Sequence, residues 1–484
     1  MKRIVLFLLA FALLFTAAGC TKEPDATIQT EQSLFGDVME QPYWDTMPDA
    51  TQDSDDVEYP DETVEDGYVE YPDDTVEDDV VEYPDETVVV DPYEQMPQPD
   101  IGGTIPQTPQ KTLVAEPLTW AKLNGIPIAS GSMTEDQLRK ICVDFMRLQL
   151  SFAWTPDKDM TYTTGGKSVT LSAGTVYGGL PYVSSTFGNL YKAMEYYDEA
   201  TGTLKVQPGM GKIIGNQCSA SAYWAWSRVS NAISFGGTAE MLERYGCLRV
   251  GSYTYDSSIK HLHKESIRTA NICKDNGEQV MYEAYALLKP ADGLSMYTGT
   301  AGHVRMVAES ANVVRNGDGT INPDKSSITF LDQVADWKSE KQSNGKPIRI
   351  QGGLDVTVSF TSLYKSGYLP FRIPELAGKD PVEKAEASLN ISGSKVTAQA
   401  VSGATINANY PLSDITVTVQ DKSGKEVFSY TKILSALNTY SYKMSVVVMA
   451  SELSSFTDGT HKISVSCRVG TGEKLVAYSG TLTK

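Results

Sequence analysis

The run Thr300-Ala301-Gly302-His303-Val304-Arg305-Met306-Val307-Ala308 lies where the chain has passed from helical to strand texture. Small residues open onto an apolar stretch, which predicts a core strand over 302–309. Four further strands are expected nearby, at 280–288, 326–332, 347–350 and 354–362. Upstream the pattern is helical. Thr134 with Gln137 makes a capping box, and Leu138, Ile141, Phe145, Met146 and Leu148 follow at helical spacing. A helix over 135–150 follows from this, with a short one at 187–198, a stronger one from Ser219 to Phe235 and another short one at 238–245. Helices first and strands afterwards make an α+β domain, which begins near Leu113 and spans 112–380.

A polar break over 381–385 ends this domain. From Ala387 onward apolar and polar residues alternate with no convincing helix. Strands are expected at Ala387–Ile391, Lys395–Ala400, Ile415–Gln420, Glu426–Thr431, Tyr442–Val448, His461–Val469 and Lys474–Thr481. Seven short strands with turn signals in about 100 residues predict an immunoglobulin-like β-sandwich over 385–484. No residue in it marks a site.

The other end of the chain is of a different kind. Lys2 and Arg3 precede an uncharged apolar run from Ile4 to Phe15, and Thr16-Ala17-Ala18-Gly19-Cys20 closes it. A basic head, an apolar run and small residues are the layout of a secretory signal over 1–20. The run is shorter than the roughly 20 residues that span a bilayer. Cys after Ala-Ala-Gly resembles the bacterial lipobox, although Ala17 stands where Leu is usual. That resemblance implies cleavage before Cys20, a diacylglycerol on its sulfur and stable anchoring to the outer face of the cell membrane.

Residues 21–111 cannot build a core. Val57-Glu58-Tyr59-Pro60-Asp61-Glu62-Thr63-Val64 recurs in altered form from Val69 and from Val81, a 12-residue period. Residues 23–100 carry 27 acidic side chains and no basic one, so the net charge of −20 belongs to this segment and the rest of the chain is close to neutral. Like-charge repulsion and repeated proline predict an extended, solvated tether. No basic stripe points to nucleic acid.

With Cys20 set aside, Cys142, Cys218, Cys247, Cys273 and Cys467 remain. An odd number at irregular spacing is not a disulfide framework. Cys218 stands out. In Gly215-Asn216-Gln217-Cys218-Ser219-Ala220-Ser221, Asn216 is a good N-cap, and Ala222, Ala225, Trp226, Val229 and Ile233 form the apolar face of the helix that follows. A thiol in the first turn of a helix feels the positive end of its dipole, which favours the nucleophilic thiolate. A buried thiol packing as a small hydrophobe is the ordinary alternative. Cys247 and Cys273 head no good helix.

A base must come from His261, His263, His303 or His461. His461 lies in the C-terminal domain. His261 and His263 flank Leu262 in a Lys-rich stretch with no third metal ligand in view, which reads as a solvated loop. His303, at the mouth of a core strand, is held rigidly, as a general base must be, though a histidine capping a strand end has the same signature. Asn316-Gly317-Asp318-Gly319 reads as a tight turn rather than a calcium loop, since the ligand-bearing Glu is missing. No phosphate-binding loop or zinc ligand set is present, and no metal or cofactor is expected.

Four pieces in order resemble the NlpC-type cell-wall cysteine peptidases. They are Gly179-Leu180-Pro181-Tyr182, Cys218 at a helix start, Leu288-Lys289-Pro290-Ala291-Asp292-Gly293-Leu294, and Gly302-His303-Val304-Arg305-Met306-Val307. The resemblance covers about residues 175–335. It implies a papain-like core, helices packed on an antiparallel sheet, with Cys218 as nucleophile, His303 as base and Tyr182 orienting the thiol. The family's third polar group lies on the next strand, where Asp332 is taken first and Gln333, on the opposite face, is the alternative. Gln217-Cys218-Ser219-Ala220 departs from the usual Asp-Cys-Ser-Gly, and Ala291 replaces a Gly. The 85-residue separation of Cys218 from His303 implies an insertion near 246–280.

The expectation is a lipid-anchored, extracytoplasmic cysteine hydrolase acting on amide bonds, with peptidoglycan or a cell-wall peptide as its partner. The alternative is a non-catalytic wall-binding or adhesive lipoprotein in which a degenerate cleft only grips a ligand.

Overall fold

A computed structural model describes residues 115–484 apart from 165–166, 185, 234–236, 260, 392–395 and 435–437. The signal, Cys20 and the acidic tether all lie outside the described residues. Among those described, no helix is long and apolar enough to cross a membrane.

The chain is a mixed α+β structure with one large sheet and several smaller ones. Thr134 and Gln137 close their capping box, and the helix Glu135–Ser151 follows. At the centre of the ten-stranded sheet, Pro347–Ser359, Ser327–Lys341, Gly302–Val307, Gly293–Tyr297 and Leu369–Arg372 run side by side and antiparallel. The sheet is not antiparallel throughout. Pro347–Ser359 pairs in parallel with Tyr177–Gly178, and Ala153–Pro156 in parallel with Thr203–Leu204.

Both faces of the central strands are covered. Along Gly302–Val307, Val304 and Met306 enter the core that holds Glu135–Ser151 and the helix Cys218–Trp226. Val307 enters a second core with Thr269–Asn276, Glu278–Ala286 and Phe360–Lys365. Neighbouring residues of a strand point to opposite faces, so a strand covered on both sides reads as continuously apolar.

Several expected boundaries are corrected. Residues 280–286 are helical, in Glu278–Ala286, because Gly277 at φ +82° opens a turn and Met281, Tyr282, Ala284 and Tyr285 share one buried face. The helix expected from Ser219 to Phe235 ends at Trp226, and that expected over 187–198 is confined to Leu190–Glu195. Residues 238–245 form two 3₁₀ turns, Thr238–Glu240 and Glu243–Tyr245. The strands expected at 347–350 and 354–362 are one strand to Ser359, followed by the helix Phe360–Lys365. Short strands and a hairpin over 153–178 went unanticipated.

The C-terminal segment holds a three-stranded sheet and a four-stranded sheet around one core. Two short helices interrupt it, Ala398–Ser402 where a strand was expected and Ala450–Ser454 where none was. Tyr442–Val448 is a strand only to Lys443, and Thr405–Ala408 is an added strand. The segment packs on the α+β part. Gly470 and Gly472 approach Ser227 and Arg228, just past the Cys218 helix, so closely that a Cβ would lie 2.9 Å and 1.8 Å from their side chains.

Candidate active site

Cys218 is the first residue of a nine-residue helix whose members are all buried. The cap position belongs to Gln217, not Asn216, and no side chain caps it. The carboxamide oxygen of Asn216 accepts from the Gln217 N–H at 2.9 Å. The first backbone N–H groups of a helix have no partner within it, and Cys218 is the residue that opens this one. Gly-Leu-Pro-Tyr runs alongside: Tyr182 bridges Asn216 in parallel, Asn216 N–H donates to the Pro181 carbonyl at 2.9 Å, and Val183 N–H to that of Asn216 at 2.9 Å. The backbone of Tyr182 therefore runs beside the start of the Cys218 helix. Gly179 permits the turn. It sits at φ +74°, with the Leu150 carbonyl 2.5 Å from where a Cβ would be.

Eighty-five residues on, His303 lies near enough to Cys218 for the thiol to act electrostatically on the imidazole. Its Nε2 is 2.8 Å from Oδ2 of Asp332. All three residues are buried. Burial disfavours a charged imidazole, but the neighbouring charges of Cys218 and Asp332 outweigh it and push His303 from 6.5 up to about 9. Burial likewise pushes the Asp332 carboxyl up, and His303 and Arg305 together outweigh it and hold the group below its ordinary range. Because His303 is raised on folding, the stability its charged ring contributes is full below 6.5 and is lost as pH climbs through about 9. For Asp332 the sign is opposite, and its contribution is lost in acid.

Asp332 and Gln333 are separated by function as well as by face. Asp332 meets His303. Gln333 accepts from the Ser221 hydroxyl, one turn into the Cys218 helix, and donates to the Leu180 carbonyl at 2.7 Å. Gln333 therefore ties the helix to the Gly-Leu-Pro-Tyr segment and does not orient the imidazole. Two further amides went unnoticed in the sequence. Gln149 donates to the Ser221 carbonyl at 2.8 Å, and Gln351 accepts from Tyr182 N–H at 2.6 Å. Buried amides with partners on several segments fix those segments in one arrangement.

The carboxylate of Asp332 is held on its other side by Gly353 N–H, which donates to Oδ1 at 2.9 Å. Strand pairing shifts register on either side of Asp332, a bulge that aims its side chain. The facing Gly352 and Gly353 make room, since a Cβ on Gly353 would lie 2.5 Å from Oδ1. A Gly-Gly pair inside a strand marks close approach, and this was the available signal. Arg305, also unremarked in the sequence, donates from Nε to Oδ2 at 3.2 Å.

Asp292 of the Pro-Ala-Asp segment is structural. Fully buried, it receives Arg139 at 2.8 Å and Arg372 at 2.7 and 2.6 Å. Ala291 beside it adopts φ +66°, the conformation for which glycine is usual. His261 faces Glu240 at 3.3 Å and the exposed His263 meets the Tyr297 hydroxyl, both from the turn segment that was expected as a loop. Among the described residues, no three His, Cys, Asp or Glu side chains converge as metal ligands. Residues 316–319 close a turn between Arg315 and Ile321, as expected. Cys142, Cys247, Cys273 and Cys467 are free and buried, and burial pushes the last three thiols up to about 12. A cleft of about 440 Å³ near Arg249, Tyr253 and Lys379 includes neither Cys218 nor His303.

No family model matches the chain, and no match was found among curated proteins.

Proposed function

We propose that the chain is a lipid-anchored, extracytoplasmic cysteine hydrolase that cuts amide bonds in peptidoglycan stem peptides. The observation that carries this reading is the Cys218–His303–Asp332 grouping, with a buried thiol at a helix start, an imidazole that feels it and a carboxylate bonded to that imidazole. In this scheme Asp332 engages Nε2, which leaves Nδ1 to serve the thiol. The thiolate attacks the amide carbonyl, and the developing oxyanion lies against the unclaimed N–H groups of the helix start. His303 hands its proton to the departing amine, then takes one from the water that cleaves the thioester. Tyr182 borders the nucleophile. The reading places the α+β part in the papain-like NlpC group and the C-terminal segment among immunoglobulin-like sandwiches. Cys20 and the acidic tether supply the anchor and the reach to the wall.

Digestion of purified peptidoglycan tests the proposal. New amino groups are expected with the wild-type chain and none with Cys218→Ala or His303→Ala. Equal release by Cys218→Ala would overturn it.

A second reading rests on one observation. Cys218 and His303 are each only 4 % exposed, so a peptide reaches them only if side chains move. A wall-binding or adhesive lipoprotein with a sealed, inactive pair is consistent with that burial. It predicts sedimentation with peptidoglycan unaltered in Cys218→Ala and no cleavage by either protein.

A further inference from the structure

Arg305 follows His303 by two residues and shares its side of the strand. Its guanidinium carbon lies 4.0 Å from the ring centroid of Phe330 and 4.5 Å from that of Tyr368. Two aromatic faces hold the plane of the group and favour its charge. From that clamp Nε reaches Oδ2 of Asp332, the oxygen that also binds His303 Nε2. One carboxylate oxygen therefore serves two cationic donors, while the other is taken by Gly353 N–H.

The arrangement has a consequence for charge. A carboxylate with a single partner gives that partner its full attraction. Here Asp332 is divided between imidazole and guanidinium, and the fixed positive charge of Arg305 stands near the imidazolium that His303 forms. Both effects weaken the hold of Asp332 on a charged ring. Without Arg305, the buried pair would keep its proton to a higher pH and release it less readily. His303 interacts with Cys218 from the helix and Asp332 from the long strand; Arg305 from its own strand acts on Asp332, and Tyr368, from the segment before Leu369–Arg372, neighbours Arg305, Asp332 and Cys218. Arg305 is the permanent cation among them.

We propose that Arg305 is a positioning residue for the Cys218–His303–Asp332 set. Clamped between Phe330 and Tyr368, it fixes the carboxylate of Asp332 and limits how tightly that carboxylate holds the imidazolium. This rests on the hydrolase reading for its purpose, but its first test needs no turnover.

The experiment is a ring-proton and ring-nitrogen NMR titration of the histidines in the full chain, with His303 assigned by its loss in His303→Asn. Arg305→Met is expected to raise the His303 midpoint by about one pH unit, the scale of a charge removed from within 4–6 Å. Arg305→Lys keeps the charge but not the flat stacking, so it raises the midpoint by less. It also serves if the Met variant does not fold. An unchanged or lowered midpoint in the variants that fold overturns the proposal. Peptidoglycan digestion run in parallel separates the two claims. A shifted midpoint in a protein that never cuts the wall leaves the role of Arg305 standing and removes the hydrolase. Cleavage with an unmoved midpoint does the reverse.

Discussion

Asp332 shows how much a single side chain depends on its surroundings. A buried carboxylate is costly unless paired and hydrogen-bonded. This one meets an imidazole, a guanidinium and a backbone N–H. The last contact exists only because position 353 has no side chain. Gly353→Ala would bring a methyl group to 2.5 Å from Oδ1 and 2.9 Å from Val356 Cγ2. It should destabilise the protein by about 1–3 kcal/mol, the usual cost of overpacking, and slow peptidoglycan cleavage at least tenfold as the carboxylate turns away. Urea unfolding and the digestion assay check the two parts. The proposed pair, Cys218 and His303, could be singled out in the sequence because few residue types carry such chemistry and each lies beside an interpretable element. The sequence favours Asp332 over Gln333 only narrowly, because neighbouring residues alternate faces and a bulge decides which face meets the histidine. Arg305 was passed over because one charge in an apolar strand gives no hint of the two rings that enclose it.

At the scale of elements, local chemistry was a good guide where it was strong and a poor one where tertiary packing ruled. The Thr134–Gln137 box fixed the start of Glu135–Ser151 without help from the rest of the chain. By contrast, Val280 to Ala286 contains two tyrosines and a valine, which suit a strand, yet it folds as a helix whose tyrosines enter a core with Phe360 and Leu363. The Cys218 helix was expected to continue through Val229 and Ile233, both of which are buried. It stops at Trp226 because the chain turns there, and Arg228 is then held under Gly472. The amphipathic spacing past Trp226 therefore reflects burial without helix. Two parallel pairings in the large sheet were not legible at all, since they join strands far apart in sequence. Residues 246–280 hold the short strand Leu248–Arg249 and the helix Thr269–Asn276. The turn at Thr238–Glu240 that precedes them reaches the rim of the site, where a Cβ on Gly302 would strike Thr238 Oγ1 at 1.7 Å.

For the whole molecule, the meeting of the α+β part with the C-terminal segment is a further finding. Asn231 donates to Glu383 at 2.9 Å, and Tyr440 donates to the Asn231 carbonyl at 3.1 Å. Glu375 is buried close by with Oε2 unpartnered, and burial pushes its carboxyl up to about 7. A carboxyl raised on folding favours the folded state fully below its ordinary value and progressively less as pH rises through 7. Glu375→Gln should therefore raise stability by on the order of 2 kcal/mol near pH 8 and change it little near pH 4, as read from unfolding midpoints at the two pH values. None of this moves the site, which rests on a thiol and an imidazole brought together by folding. Native-state alkylation tests that pairing most directly. The full chain is treated with iodoacetamide near neutral pH, and adducts are mapped by mass spectrometry. One fast adduct on Cys218 is predicted, with Cys142, Cys247, Cys273 and Cys467 spared and the rate falling at least tenfold in His303→Ala. Equal labelling of Cys218 with and without His303, or no faster labelling than the other four, would contradict the account.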